Sequence, residues 1–485
     1  MRTSSLIKDN LSYYWRTNLA VIIGVATAVS VLAGALLVGD SVRASLRDLA
    51  LARLGRSDFV VTAHGFFREA LAGDLQADQQ FATAFDAACP LVALEGVVTR
   101  DGENGKSSRA AGVQVYGVDD RFWKFHGVDL KSPADNDVLL SRPLAQELGA
   151  RTGDTIILRI EKPSGIPAES LHGRKDDLGR TIRFTMREAL PASSLGEFSL
   201  RPQQGSVRAL FVPLRKLQRN IEQEGKANVI LLSSHQDHAV GDSLKIAEKI
   251  LREKFTLADL GLKVRILSEQ NALALESESA VIGDSTAETV KEQARKANFR
   301  TVSILTYLVN AMRIGDKSVP YSLVTAIDPE VLSEAIKDNP RGEEDSVPVI
   351  VLNDWAARDL GARVGETIEL EYYLWADGGR LVTAKHLFRV GGIVPLAGFA
   401  DDRNYAPDYP GITDTESLAD WDPPFPIDLR RVRSQDEAYW KRYRTTPKAF
   451  IPLSDGQNLW SSRYGKLTSI RIIPPEGSDL AAARD

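Results

Sequence analysis

The sequence holds one cysteine, Cys89, among 485 residues. No intramolecular disulfide can form, and a lone thiol gives no basis for a cysteine-built metal site. Histidine is scarce too, with six copies scattered along the chain. Neither sign of charge dominates: 60 Lys+Arg stand against 65 Asp+Glu, for a net charge of −5. That leaves no electrostatic footprint for nucleic acid. Long apolar runs are missing with one exception, and the mean hydropathy is −0.18. A polytopic membrane protein is therefore excluded for the sequence as it stands. What is present is ordinary: 43% apolar and 26% charged residues. This excludes a disordered chain or a collagen, and it is enough to build globular cores in roughly two to four domains.

The exception runs from Leu19 to Val38, LAVIIGVATAVSVLAGALLV, in which only Thr27 and Ser30 are polar. A helix of about 20 residues spans about 30 Å, the thickness of a bilayer's hydrocarbon core. A cleaved signal peptide is the competing reading, but its apolar part usually has about 7–15 residues, fewer than this run. A retained transmembrane helix is expected. Arg2, Lys8 and Arg16 precede it and Arg43, Arg47, Arg53 and Arg56 follow it, so charge bias does not set its orientation. Ala26, Ser30 and Gly34 recur at a spacing that lets a second helix approach, a spacing also common in membrane helices generally. Past Gly39, Val42, Leu46 and Leu49 keep helical spacing without a proline. The helix should continue as a stalk and stop at Gly55.

Asp58–Ala63 reads as a strand and about Phe66–Ala87 as a helix. Pro90–Thr99 and Arg109–Val118 read as a hairpin, with Asp101-Gly102 and Asn104-Gly105 between them.

An internal repeat organises the rest. Leu148-Gly149-Ala150-Arg151, Gly153-Asp154-Thr155-Ile156 and Leu158 match Leu360-Gly361-Ala362-Arg363, Gly365-Glu366-Thr367-Ile368 and Leu370 at an offset of 212. Upstream, YGVD ending at Asp119 corresponds to TAID ending at Asp328. Downstream, FVPL from Phe211 corresponds to FIPL from Phe450. The conserved order of elements within the chain indicates a duplicated unit. Each copy reads as strand, helix and turn into strand, with Gly149 ending the helix in the left-handed conformation and Gly153-Asp154 making the turn. These residues need no ligand to explain them.

Between the matched segments the copies differ. Leu158–Phe211 carries Pro163, Gly165, Pro167, Gly173 and Gly179. Leu370–Phe450 carries Asp401, Asp402, Tyr405, Pro407, Asp408, Tyr409, Trp421, Pro423, Pro424 and Phe425. Trp421 and Tyr409 on a long loop would suit a contact surface, or would pack back on their own domain. After Phe211 come a strand (Asn228–Leu232), an amphipathic helix (Asp242–Lys254) with Leu244, Ala247, Ile250 and Leu251 on one face, and a strand (Lys263–Leu267) that should close a β-α-β element. The second copy offers Leu467–Ile473 as the matching strand and a helix start capped by Ser478 or Asp479. The architecture is then expected to continue past Asp485.

No catalytic constellation is found. Gly102 to Ser107 has the wrong glycine spacing for a phosphate loop, with Arg100 where a glycine is required. His235-Gln-Asp-His238 lacks completing ligands. His64, His126, His172 and His386 are scattered. There is no Gly-x-Ser-x-Gly, and Asp401–Asp422 lacks calcium-loop spacing. No catalytic, cofactor-binding or metal-binding residue is assigned, and no enzyme activity or cofactor is expected.

The span ending GALLVGDSVR, the following SDFVVTAHGFFREAL, the LGARTGDTI and LGARVGETI motifs and the FVPL and FIPL segments together resemble an ABC transporter permease of the MacB/FtsX/lipoprotein-release (LolC/E-like) type. The resemblance covers most of the chain. It implies a cytoplasmic N-terminus (1–18), a transmembrane helix (19–38) in the cytoplasmic (inner) membrane and a stalk (39–57). Outside the membrane it implies a porter-like α/β part with a small inserted α/β part. The expected fold class is thus α+β, with that extracytoplasmic α/β unit duplicated: module 1 at 58–300 (the MacB-like periplasmic core), module 2 at 301–475, and the start of a helix at 476–485. The implied partners are an ABC ATPase subunit acting through regions absent from this sequence, membrane lipid, and a periplasmic protein or lipoprotein; a homo- or heterodimer is compatible with it, nucleic acid is not. The role would be export, lipoprotein release or mechanotransmission. The sequence departs from the family in having no later transmembrane helices and in its duplicated module. The alternative is a standalone single-pass envelope interaction module working through the Trp421 and Tyr409 region.

Overall fold

The computed structural model describes residues 3–101, 107–161, 179–235, 239–336, 347–376, 380–406, 411–413, 415–421, 423 and 425–484. Helix α1 (Thr3–Tyr13) leads into α2 (Trp15–Leu54), a single helix of 40 residues, about 60 Å long. It has no proline, contains an apolar window of mean hydropathy 2.6, and none of that window is buried against the rest of the chain. It is long and apolar enough to cross a membrane. Gly55 ends it at φ 60°, ψ −124°.

The first sheet has eight strands: β1 (Phe59–Arg68), β2 (Phe85–Arg100), β3 (Ser108–Val118), β4 (Asp137–Ser141), β5 (Thr155–Glu161), β6 (Gly179–Leu190), β7 (Ala209–Pro213) and β8 (Lys226–Ser234). Their order is β1-β8-β2-β3-β7-β4-β6-β5, and β5 also pairs with β2. Six strands thus close into a ring, and β8 and β1 extend from β2 as an open wing. The 16-residue β2 serves both: Phe85–Leu91 pairs with β8, while Val92–Arg100 pairs with β3.

The second sheet has nine: β9 (Leu262–Leu267), β10 (Ala272–Ser277), β11 (Arg300–Ile314), β12 (Lys317–Ile327), β13 (Val349–Asn353), β14 (Thr367–Ala376), β15 (Arg380–Val394), β16 (Ala449–Pro452) and β17 (Ser469–Ile473). Here β11, β12, β16, β13, β15 and β14 close the ring, and β17, β10 and β9 form the wing. The ring pairings follow the same sequence of parallel and antiparallel contacts as in the first sheet. Both carry a register shift at the same place, between Val138 and Leu139 and between Ile350 and Val351.

The turns that follow these strands are matched as well. Ser141 Oγ accepts the Leu144 N–H at the start of α6 (Arg142–Leu148), and Asn353 Oδ1 accepts the Ala356 N–H at the start of α11 (Asp354–Leu360). Gly149 (φ 62°) and Gly361 (φ 67°) end these helices in the left-handed region, where an L side chain would be strained. Asp154 and Glu366 then each accept a backbone N–H, from Arg151 and Arg363, at 2.8 Å. Apolar residues from alternate strand positions fill the two rings, among them Val115, Leu140, Ile156 and Phe184 in the first and Val324, Leu352, Ile368 and Phe388 in the second.

Two expectations are corrected. The helix expected over about Phe66–Ala87 is instead the end of β1, two short helices, α3 (Leu71–Gln76) and α4 (Phe81–Ala84), and the start of β2. β1 resumes its pairing with β8 at Phe67, past an irregularity, and the Asp78 carboxylate accepts the Gln80 N–H between the two helices. Next, α8 (Val240–Lys254) forms as expected, but the strand after it does not return beside β8. β9 pairs with β10 in the second sheet. A short turn at Leu257–Leu260, held by the Asp259 carboxylate on Arg68, redirects the chain. Residues 262–296, which a division at 300 groups with the first module, form β9, β10 and α9 (Asp284–Lys296) beside the second ring. Of the two readings open for the long loop, Trp421 and Phe425 follow packing back on their own domain. They are buried in their own domain, with Trp421 edge-on to Trp440 of α12 (Ser434–Tyr443) at 5.0 Å. Tyr409, Pro407, Asp408 and Pro424 lie outside the described residues.

Candidate coupling site between the stalk helix and the first sheet

The one long helix meets the first sheet through its last turn. Arg53 is the only residue of α2 that is buried, at 8% exposure. Its guanidinium enters the loop after β6: Nη1 donates to the Gln203 carbonyl at 2.7 Å, and Nη2 donates to the Gly205 carbonyl at 2.8 Å and to Glu197 Oε2 at 3.0 Å. The Arg53 carbonyl in turn accepts the Ser199 N–H at 3.3 Å. A planar five-donor head suits such a set of divergent acceptors better than a point-charge ammonium does.

The loop is tied onward into the ring. Ser199 Oγ lies 3.0 Å from Gln114 Oε1 on β3, which also accepts the Tyr116 hydroxyl. Phe198 packs edge-on to Tyr116 at 5.0 Å and to Phe122 of α5 (Asp120–His126) at 5.1 Å. A continuous set of contacts thus runs from the stalk to a strand of the closed ring.

Gly55 and His126 form the other half of the joint. A Cβ at Gly55 would lie 2.5 Å from His126 Nδ1, so glycine is required both by its positive φ and by this approach. The Arg56 N–H donates to His126 Nδ1 at 3.2 Å, which places the neutral ring's proton on Nε2. Burial, and secondarily the Arg56 charge, push the imidazole pKa down to about 4. His126 is therefore a neutral packing and acceptor group, ringed by Phe122, Phe125 and Phe198. The next segment is also anchored: Asp58 accepts the Ser234 N–H at 2.8 Å, and Arg56 pairs with Asp86 at 3.7 Å.

The histidines weighed as ligands do not assemble. His235 closes β8 by contacting Asp86 through Nδ1 at 2.8 Å and the Ala82 carbonyl through Nε2. His386 lies against Phe388 on β15. His172, His238 and residues 102–106 fall outside the described residues, and so does the His64 side chain. Among the described residues no group of three metal-type ligands is brought together. Arg53, Glu197 and His126 had no signature in the sequence beyond an arginine in a leucine-rich stalk next to Gly55.

Residues 17–245 match the family described as the MacB-like periplasmic core domain. No curated relative matches the chain. Among solved structures, the periplasmic region of MacB from Actinobacillus actinomycetemcomitans is 12% identical, covering 48% of this chain and 91% of that one, with a TM-score of 0.26. The extracellular domain of the noncanonic ABC-type transporter YknZ from Gram-positive bacteria is 7% identical, covering 39% and 86%, with a TM-score of 0.24. A domain assigned to a permease protein from Porphyromonas gingivalis is 15% identical, covering 42% and 87%, with a TM-score of 0.25.

Proposed function

We propose, from the match of residues 17–245 to the MacB-like periplasmic core domain family, that the chain is the membrane-anchored, extracytoplasmic part of an ABC-type transporter permease whose stalk transmits movement. In this reading residues 1–18 are cytoplasmic and 19–38 cross the cytoplasmic membrane. Residues 39–57 carry the load outward, and the two sheets lie outside. An ABC ATPase subunit supplies the work in the cytoplasm, and export or lipoprotein release is the task served.

The observation that carries the mechanical reading is the Arg53 clamp. A helix that only tethered a domain could end in a flexible linker. Instead α2 runs unbroken into a buried guanidinium with three acceptors on one loop, and that loop contacts β3. Shift or rotation of α2 must then displace the loop or break charge-assisted bonds.

The two sheets are read as copies of one unit. Supporting this are the matched ring order, the matched register shifts, and the paired glycines at 149 and 361 and at 153 and 365, with φ of 93° and 94° at the second pair. On the sheet memberships, the units divide between Lys254 and Leu262 rather than at 300.

The test uses the full chain in membranes with its ATPase partner, with spin labels at an exposed stalk position and on β3. ATP binding is expected to change the label distance in the wild type. In Arg53→Ala the change is expected to vanish while hydrolysis continues. An unaltered distance change in that variant overturns the mechanical reading, and absence of any ATP-dependent distance change in the wild type within the assembled transporter overturns the transporter reading.

A further inference from the structure

The closed rings have no edges, so each sheet exposes an edge only at the end of its wing: β1 in the first and β9 in the second, among the described residues. The two ends differ in chemistry. β9 carries Lys263 and Arg265, both paired with Glu276 of β10, and edge charges of this kind discourage further strand pairing. β1 opens with Phe59-Val60-Val61-Thr62-Ala63, which has no charge, and Val60 is 40% exposed.

The two wings also differ in what lies beside the equivalent strand. β10 is to β17 and β11 what β1 is to β8 and β2. On the outer side of β10, β9 adds six antiparallel residue pairs, from Ala272↔Leu267 to Ser277↔Leu262. Leu262 and Val264 turn toward Ala287 and Val290 of α9. On the outer side of β1 no strand is present among the described residues. Beside this open edge, on the side facing α8, lies a groove of about 290 Å³ lined by Phe59–Thr62, Leu232 of β8 and Leu244, Ala247 and Leu251 of α8. The same edge is engaged within the chain only at its other end, where Asp259 accepts the Arg68 N–H at 3.0 Å.

We propose that Phe59–Ala63 is a docking edge for an extended segment of a partner polypeptide, which adds antiparallel to β1 and seats apolar side chains, at alternate positions, in the groove against α8. Main-chain bonds to the free edge supply the register, and the groove selects the apolar pattern. The occupant is a strand rather than a helix because β9 already fills the corresponding site in the second sheet as a strand. The proposal stands on strand order and groove geometry and is independent of the transport reading.

The probe is a fluorescein-labelled synthetic peptide with the sequence of residues 261–268, GLKVRILS, titrated onto the purified full chain in detergent. Two further peptides carry N-methyl groups on alternate residues, in opposite phase. Saturable binding below about millimolar is expected, weakened about tenfold or more by one methylation phase and spared by the other. Leu244→Glu, at a position already half exposed and so tolerable to the fold, is expected to weaken binding similarly. Absence of saturable binding, equal binding by both methylated peptides, insensitivity to L244E, or tighter binding by an amphipathic helical peptide of the same length would each overturn the proposal.

Discussion

Arg53 donates to Glu197 at 3.0 Å across 144 positions of sequence, and the same guanidinium holds the Gln203 and Gly205 carbonyls. Arg53→Ala strands these acceptors at the end of the stalk. The expected loss is about 2–4 kcal/mol, set by acceptors left unpaired rather than by the ion pair alone. Arg53→Lys should recover only part of it, because one ammonium cannot reproduce the fork. Thermal unfolding followed by tryptophan fluorescence checks both, with proteolysis of the 195–205 loop as the local readout. Equal stability of wild type and R53A would show that the clamp is unimportant to the fold.

His126 sets a pH dependence. Its pKa is about 4 in the folded chain against an ordinary 6.5, so the unfolded chain binds more protons between these values. Its contribution to stability is therefore full above pH 6.5 and is lost as pH falls toward 4. The whole effect is of order 3 kcal/mol. His126→Gln keeps an acceptor without titrating. The melting temperature of the wild type should fall between pH 7 and pH 4.5 by more than that of the variant, and parallel curves would refute the assignment.

Much of this fold is readable from the chain, for local reasons. Gly149, Gly153 and their partners at 361 and 365 announce turns because positive φ demands glycine. α2 is legible through Gly55 because nothing before it breaks a helix. Ring closure is not legible: the alternation in β5 says that it has a buried face, not that Gly96–Arg100 of β2 lies beside it. Phe66–Arg68 misled because an apolar run in a bulged strand looks like one face of a helix. Arg53 could not be picked out among the stalk arginines because its acceptors lie beyond residue 195. The Trp421 loop is polar in composition, yet its aromatic rings find partners that only the fold supplies.

Trp421 is 6% exposed and packs on Trp440 in the second core. Trp421→Ala is expected to cost about 3–5 kcal/mol through the cavity it leaves. A surface role would cost almost nothing. Denaturant unfolding of the second domain, reported by the remaining tryptophans, distinguishes the two.

Cys89 is fully buried, and burial pushes its thiol up to about 12. It should resist maleimide in the folded chain at pH 7 and react at once in denaturant. Mass spectrometry of the two samples checks this, and rapid labelling of the native chain would show that β2 opens locally.

The stalk has a further property that follows from its being one piece. An unbroken helix transmits azimuth as well as position. Removing one residue between the apolar run and Arg53 lowers the first sheet by about 1.5 Å and turns it by about 100°. Removing seven lowers it by about 10 Å yet returns it to within about 20° of its original heading. The length of the helix and the compass bearing of the first sheet are thus separately adjustable, and only changes near whole heptads leave the bearing intact.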